Sequence, residues 1–450
     1  MKHTLFFMLA SLVILAGACP VISKVTPSIP AIPATLIPAT NVLATSPTPS
    51  LPAVAQARPE PTRTLPLEPS AEEPTPTTEE LTTTPLNAWP TLAPQPAAPA
   101  LLTPGNHLQL DEIHMVSLTE GWGIMGGYLL ITADGGQTWH EVTPSVGKVD
   151  RIYGVFLDRQ TAWIIFSYGG QINKNLTVYF TTDGGHTWTY NQGASIETNV
   201  AGESTWAEFA ALDARNVWVM VRGVYLGAGT HFNHALFNTA DGGLTWTSLD
   251  GEISDDYTGM VFADTRYGLR TLQTTGPYGP GAPAYDVTMD GGATWDGREL
   301  PPPQEAPDLF NQYPYCESYQ PVFHSTLSIH MLVGCFNYHN PPTQFTSYLY
   351  SSQDGGMSWT TIHLPGKVLA SQATLIYFDA DHALLLGRDL YQSGDGGLSW
   401  SFVQTVYWDG QFSFVDSKHG WAVVRANGEV ALVQTTNGGR TWSEIKATIK

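Results

Sequence analysis

ADGGQTW, residues 133–139, is the stretch on which the fold turns, because six near-copies follow it along the chain. They are TDGGHTW (182–188), ADGGLTW (240–246), MDGGATW (289–295), QDGGMSW (353–359), GDGGLSW (394–400) and TNGGRTW (436–442). Each copy is turn chemistry. The carboxylate of Asp134 and its equivalents Asp183, Asp241, Asp290, Asp354 and Asp395 can accept bonds from backbone N–H groups ahead of it. Glycine supplies positive φ, and the Thr or Ser adds a hydroxyl. Asn437 takes the acidic position in the last copy. The closing tryptophans, Trp139, Trp188, Trp246, Trp295, Trp359, Trp400 and Trp442, each begin a strand as a large apolar plug with one N–H donor. Half of the 14 tryptophans sit at this one position, so it fills an equivalent gap in every repeat. The motif reads as a hairpin staple, not a catalytic site.

The acidic positions are separated by 49, 58, 49, 64, 41 and 42 residues. A four-stranded blade takes roughly 40–50 residues, and the longer intervals are blades with insertions. A second pattern precedes most copies: VFLDRQTAWIIF, FAALDARNVWVMV, VFADTRYGLRTL, IYFDADHALLL and FSFVDSKHGWAVV. Period-two alternation broken by an Asp-containing turn predicts a β-hairpin. With the strands on either side of the turn heptad this makes four strands, a to d. In the first repeat they are IHMVSL, GWGIM, YLLIT and TWHEV. No segment has helical periodicity. The expectation is an all-β domain, residues 103–450, folded as a seven-bladed β-propeller of four-stranded antiparallel blades. How the ring closes is not readable from the pattern.

These residues match the Asp-box, or bacterial neuraminidase repeat, S/T-x-D-x-G-x-T/S-W. With the VF-x-D-x3-GW hairpin beside it, the chain resembles the photosystem II stability/assembly factor-like repeat proteins over about residues 105–450. The resemblance implies a scaffold or assembly role. It does not select an activity, because the same box occurs in sialidases, other glycosidases, sorting receptors and non-enzymatic assembly factors.

Residues 20–100 differ in kind. They hold 19 of the 33 prolines, no glycine and a single aromatic residue, Trp89, so they cannot bury enough apolar surface to offset the entropy of ordering. Residues 19–102 are expected to be a disordered Pro/Thr-rich stalk with polyproline II character. Before it, Lys2 and His3 precede an uncharged apolar run from Leu5 to Gly17, too short to span a bilayer. Residues 1–18 read as a signal peptide. The following Cys19 suits lipoprotein processing, although Leu15 sits one position earlier than usual, and Ala16-Gly17-Ala18 also suits ordinary signal peptidase. Both routes cut the same bond. The expected location is extracytoplasmic, anchored to a membrane through Cys19 or secreted.

The formal net charge is −20, and from residue 101 onward 34 Asp plus Glu stand against 16 Lys plus Arg. Such a surface repels phosphate backbones, so nucleic acid is not an expected partner. Cys316 and Cys335 form an even pair in an exported chain, predicting a disulfide across a hairpin centred on Ser325–Ser328. His231 and His234 lack a third ligand, and Asn175-Leu176-Thr177 is an incidental sequon; no metal and no cofactor are expected, and the chain is expected to be a monomer.

In a propeller the a–b turns and Asp-box turns share one face, and the b–c and d–a connections share the other. The long insertions, 168–176, 190–205, 223–235, 272–284, 296–318 and 337–346, all fall in the second class. They carry Tyr225, His231, Phe232, His234, Tyr278, Tyr313, Tyr315, Tyr338 and His339. One elaborated face on a rigid scaffold is where binding is expected. Arg222, Arg270, Arg388 and Arg425 lie at or just beyond the end of strand b in blades three, four, six and seven. They are candidates for recognising an anionic group on a protein or glycan partner, together with Tyr225, Tyr278 and Tyr338. Each could instead pair with a neighbouring acid, such as Asp389 beside Arg388. A sialidase-like glycoside hydrolase is the alternative. It would need an arginine triad, an Arg-Ile-Pro motif, a Tyr/Glu pair and an acid/base Asp; the nearest string to Arg-Ile-Pro is Asp150-Arg151-Ile152-Tyr153, so no catalytic residue is named.

Overall fold

The computed structural model describes residues 95–450 apart from 99–101, 148, 170, 173–175, 193–205, 226–231, 250–256, 273–280, 314, 326, 338–343 and 367. The signal sequence, Cys19 and the stalk to residue 94 lie outside the described residues, as do Asn175, His231, Tyr278, Tyr338 and His339.

Seven antiparallel sheets of four principal strands follow one another along the chain, and the fold is a seven-bladed β-propeller. Blade one pairs Glu112–Met115, Gly121–Met125, Tyr128–Thr132 and Thr138–Glu141 in chain order, the strands read from the sequence. In blade five the first strand is split: Tyr315–Ser318 and Val322–Phe323 both pair with Ile329–Asn337. That pairing sets Cys316 opposite Cys335, and their sulfurs are bonded. The first strands of neighbouring blades touch one another, so strands a surround the axis. One helical turn, Leu309–Gln312, lies in the connection between blades four and five.

The core is divided. Seven apolar clusters occupy the spaces between adjacent blades. Between blades two and three, for example, Trp163, Ile165 and Phe180 meet Phe209, Val219 and Trp246. Strands with both faces covered in this way read as near-continuous apolar runs, as in VWVMV and ALLL.

The turns explain why one motif recurs. In blade three, Asp241 Oδ1 accepts the Thr245 N–H at 2.8 Å and Oδ2 accepts its hydroxyl at 2.6 Å. Thr239 donates its hydroxyl to Asp241 and accepts the Gly243 N–H, both within 2.9 Å. Gly242 then donates its N–H to Arg215 O, 3.0 Å away in the a–b turn. All seven blades repeat this last bond, so the two turns of each blade are clipped together. Gly242 has φ +82°, and a Cβ there would stand 2.9 Å from Ala214 O, which is why glycine is required. The a–b turns are Asx turns: Asp213 Oδ1 accepts the N–H groups of Arg215 and Asn216.

Neighbouring blades are stapled through strand b. Trp163, Trp218 and Trp421 each donate the indole N–H to the first Asp-box glycine carbonyl of the next blade, Gly242, Gly291 and Gly135, at 2.8–2.9 Å. Tyr267 does the same to Gly355 with its hydroxyl.

At the ring closure the four principal strands of blades one and seven each stay contiguous in the chain. Gln411 of blade seven accepts the Ile113 N–H and donates to Ile113 O, at 2.8 and 3.0 Å. The C-terminal Thr448–Ile449 then crosses to blade one and pairs, parallel, with Thr138–Trp139 on its outer edge. Gln95–Pro96 adds likewise to the outer edge of blade two, opposite Trp188 and Thr187. Thus the folded part takes in residues on the stalk side of position 103. Proline is tolerated there because an edge strand leaves its missing N–H unneeded.

Candidate functional site

Strands a begin, and strands b end, at the face that carries the long connections. There the structure builds a belt of alternating charge from blade six to blade two. Arg388 makes a bidentate pair with Asp409, Nε to Oδ1 at 2.9 Å and Nη2 to Oδ2 at 3.2 Å. Asp409 faces Arg425 across the register of the blade-seven hairpin. Arg425 Nη2 reaches into blade one, 2.7 Å from Asp111 O and 3.7 Å from Asp111 Oδ1. Next to Asp111, Glu112 stands 3.7 Å from Arg151 Nη2 of blade two. The neighbouring His114 imidazole, then the Arg151 and Arg425 charges, hold the Glu112 carboxyl below its usual range despite burial.

An open recess of about 450 Å³ sits in the middle of this belt. Asp111, Glu112, Asp150, Arg151, Gln411 and Arg425 line it. Both signs of charge face one space, so the recess can engage carboxylate and ammonium or amide groups of one ligand at once.

The four sequence-selected arginines do not share a single environment. Arg388 and Arg425 belong to the belt, and Arg388 finds its acid in the next blade, at Asp409, rather than in the adjacent Asp389. Arg270 does not reach the face, because it lies in the middle of strand b, Gly268–Leu272, and not at or beyond its end as expected. Its side chain is 5% exposed and bonds Asp286 at 2.8 Å between the rings of Tyr257 and Trp295, 4.2 and 4.1 Å from its guanidinium. Arg222 is half-buried and stacks on Trp206 at 5.3 Å. Tyr225 ends the strand Val217–Tyr225 opposite Phe232; Tyr278 and Tyr338 lie outside the described residues. His234, expected in a loop, is fully buried in the strand Phe232–Thr239, edge-on to Tyr257. Among the described residues no group of three His, Cys, Asp or Glu is placed to hold a metal.

Asp111, Asp150 and Arg151 were not selected from the sequence. Their signal was weak but present: each stands just before or at the start of a strand a, where the chain enters a blade at the axis. The Asp-box face holds a further surprise. Leu118, Leu244, Met289, Leu327, Met357 and Leu398 are 46–80% exposed there, all in its turns.

No protein-family model and no curated protein matches the chain. Solved structures do. The structure of YCF48 bound to D1 peptide is 17% identical, with TM-score 0.46, over 76% of this chain and 99% of that one. YCF48 from Cyanidioschyzon merolae is also 17% identical, with TM-score 0.44 and the same coverage. A puromycin-hydrolyzing peptidase from Mycobacterium tuberculosis reaches TM-score 0.50 at 11% identity, over 77% of this chain and 57% of that one. At such identities the shared property is the propeller fold.

Proposed function

We propose that the chain is an exported, non-enzymatic binding scaffold, tethered through Cys19, whose elaborated face holds a peptide or glycan partner in the recess between blades seven, one and two. The observation that carries this reading is the interblade charge belt. Arg425, Asp111, Glu112 and Arg151 come from three different blades and converge on one cavity. Rigid blades hold such groups with little reorganisation, which lowers the ordering cost of binding. A peptide segment, with its own charged side chains and amide groups, is the better match to a mixed-sign recess than a neutral sugar.

The glycoside hydrolase reading rests on the three carboxylates that share the recess. A glycosidase needs one of its carboxyls raised so that it can donate a proton. Glu112 is shifted the opposite way, toward the ionised form, as suits an ion-pair acceptor.

The test is a screen of the full chain against peptide and glycan arrays, repeated with Arg151→Gln/Arg425→Gln. Both arginines are exposed, so the double variant is expected to keep the fold, with an unchanged melting temperature as the control. The scaffold reading expects hits that weaken about tenfold and lose salt sensitivity in the double variant. Hits that are indifferent to the double variant, or arrayed glycans that are cleaved, would overturn it.

A further inference from the structure

We infer that the groove between blades six and seven, on the Asp-box face, is a second site, one that binds an acidic sugar through its carboxylate or phosphate. A cavity of about 450 Å³ opens there, within the range of small-molecule sites. Gln392, Ser401, Ser417, Lys418 and Arg440 line it, and no Asp or Glu does, although acids outnumber bases two to one across the domain.

Two features make its charge available. Arg440 Nη1 donates to Asn437 O at 3.0 Å and Nη2 to Gln392 Oε1 at 3.1 Å, which fixes the fork and leaves its other N–H donors for a ligand. Moreover, neither Arg440 nor Lys418 forms an ion pair among the described residues. Arg151, Arg159, Arg270, Arg298, Arg388 and Arg425 each do.

The blade-seven box departs from the other six at two places, and both changes favour an anion. Asn437 replaces the aspartate, and Arg440 stands three residues on, where the other boxes have Gln137, His186, Leu244, Ala293, Met357 and Leu398. Asn437 still does the structural work: Oδ1 accepts the Thr441 N–H at 2.9 Å, and Nδ2 donates to Thr441 Oγ1 at 2.8 Å. The turn is kept while the carboxylate beside Arg440 is removed. Ser401, Ser417 and the Gln392 amide can meet sugar hydroxyls. A bare inorganic anion would leave most of the cavity unfilled.

The experiment is calorimetric titration of the full chain with glucuronate, glucose 6-phosphate, glucose and inorganic phosphate. Binding of the two acidic sugars, with glucose silent and inorganic phosphate weaker, is expected. Arg440→Gln and Lys418→Gln should each weaken the acidic sugars about tenfold. Asn437→Asp restores the box used by the other six blades and so keeps the fold; it should weaken binding with no fall in Tm. Equal binding by native chain and variants, or no acidic-sugar binding at about 50 mM, weaker than any useful site, would sink the inference. Inorganic phosphate binding as tightly as the sugars would reduce the groove to a simple anion site. Capture by phosphatidylglycerol vesicles without sugar binding would assign it to a lipid headgroup; either result overturns the proposal.

Discussion

Trp218 donates its indole N–H to the carbonyl of Gly291 at 2.8 Å, fastening strand b of the third blade to the Asp-box turn of the fourth. Both groups are buried, so losing the donor strands a carbonyl rather than returning it to water. Trp218→Phe keeps an aromatic ring stacked on Phe262, 3.8 Å away. We expect a loss of about 1–3 kcal/mol in urea melts, with the slope unchanged. No loss would show that the staple is ornamental.

Asp241→Ala removes the acceptor for the Thr245 N–H and hydroxyl in the blade-three box. By analogy with a lost helix cap this costs about 0.5–2 kcal/mol. Binding on the opposite face should be untouched. A stable variant that fails to bind its partner would contradict the structural assignment of the box.

Arg270 sits in the middle of strand b, Gly268–Leu272, whereas Arg388 stands two residues past the end of its own, Ala383–Leu386, and the two should respond differently to the same change. Arg270→Gln leaves Asp286 as an unpaired acid inside blade four and is expected to cost about 3–5 kcal/mol. The Arg388–Asp409 pair is two-thirds exposed and screened by solvent, so Arg388→Gln should leave the melting temperature nearly unchanged. Comparable melting temperatures for the two variants would contradict the placement of Arg270.

The pH profile should have two arms. Hydroxyl and amide bonds from Thr294 and Ser358 hold the carboxyls of Asp290 and Asp354 down to about 2. A depressed folded-state value means that stability is complete above the ordinary carboxylate range and drains away as pH falls from about 4 toward 2. Glu208 has the opposite sign. Burial pushes it up to about 7, against one bond from the Met260 N–H, so its contribution is complete below about 4.5 and lost as pH rises through 7. Thermal melts from pH 2 to 9 should therefore peak near pH 5. Asp290→Asn/Asp354→Asn should flatten the acid arm, since Asn437 shows that asparagine fits the box, and Glu208→Gln should flatten the neutral one. A profile unmoved by Glu208→Gln would rule out that residue's part.

Cys316 and Cys335 should be recovered as one linked peptide under non-reducing conditions, with Cys19 elsewhere. Replacing both by serine is expected to cost about 2–4 kcal/mol. A free thiol at either position would refute the bridge.

How much of this was legible depends on the range of each interaction. The Asp-box bonds lie within four residues, as from Asp134 to Thr138, so a short string of residues declares them. The Cys316–Cys335 pairing follows from a hairpin of the same local kind. By contrast Trp163, Trp218 and Trp421 stood in plain view within the VF-x-D-x3-GW pattern, yet their partners lie 79, 73 and 286 residues away. No local pattern announces such a bond. The arginines failed to sort for the same reason: Arg388 has an acid next to it in sequence and pairs with one 21 residues on.

The sequence by itself determined the number of blades, the strand order within each and the turn chemistry, because alternation and turn residues act over a few positions of one chain segment. Tertiary structure alone decided how blade seven meets blade one, with Gln411 clasping Ile113 and Thr448–Ile449 crossing to Trp139. It alone decided that Arg270 is interior while Arg425 and Arg151 share a recess. Those outcomes depend on which surfaces face each other once seven separate wedges of apolar side chains have drawn the blades into a ring, a geometry to which each blade contributes and which none of them encodes.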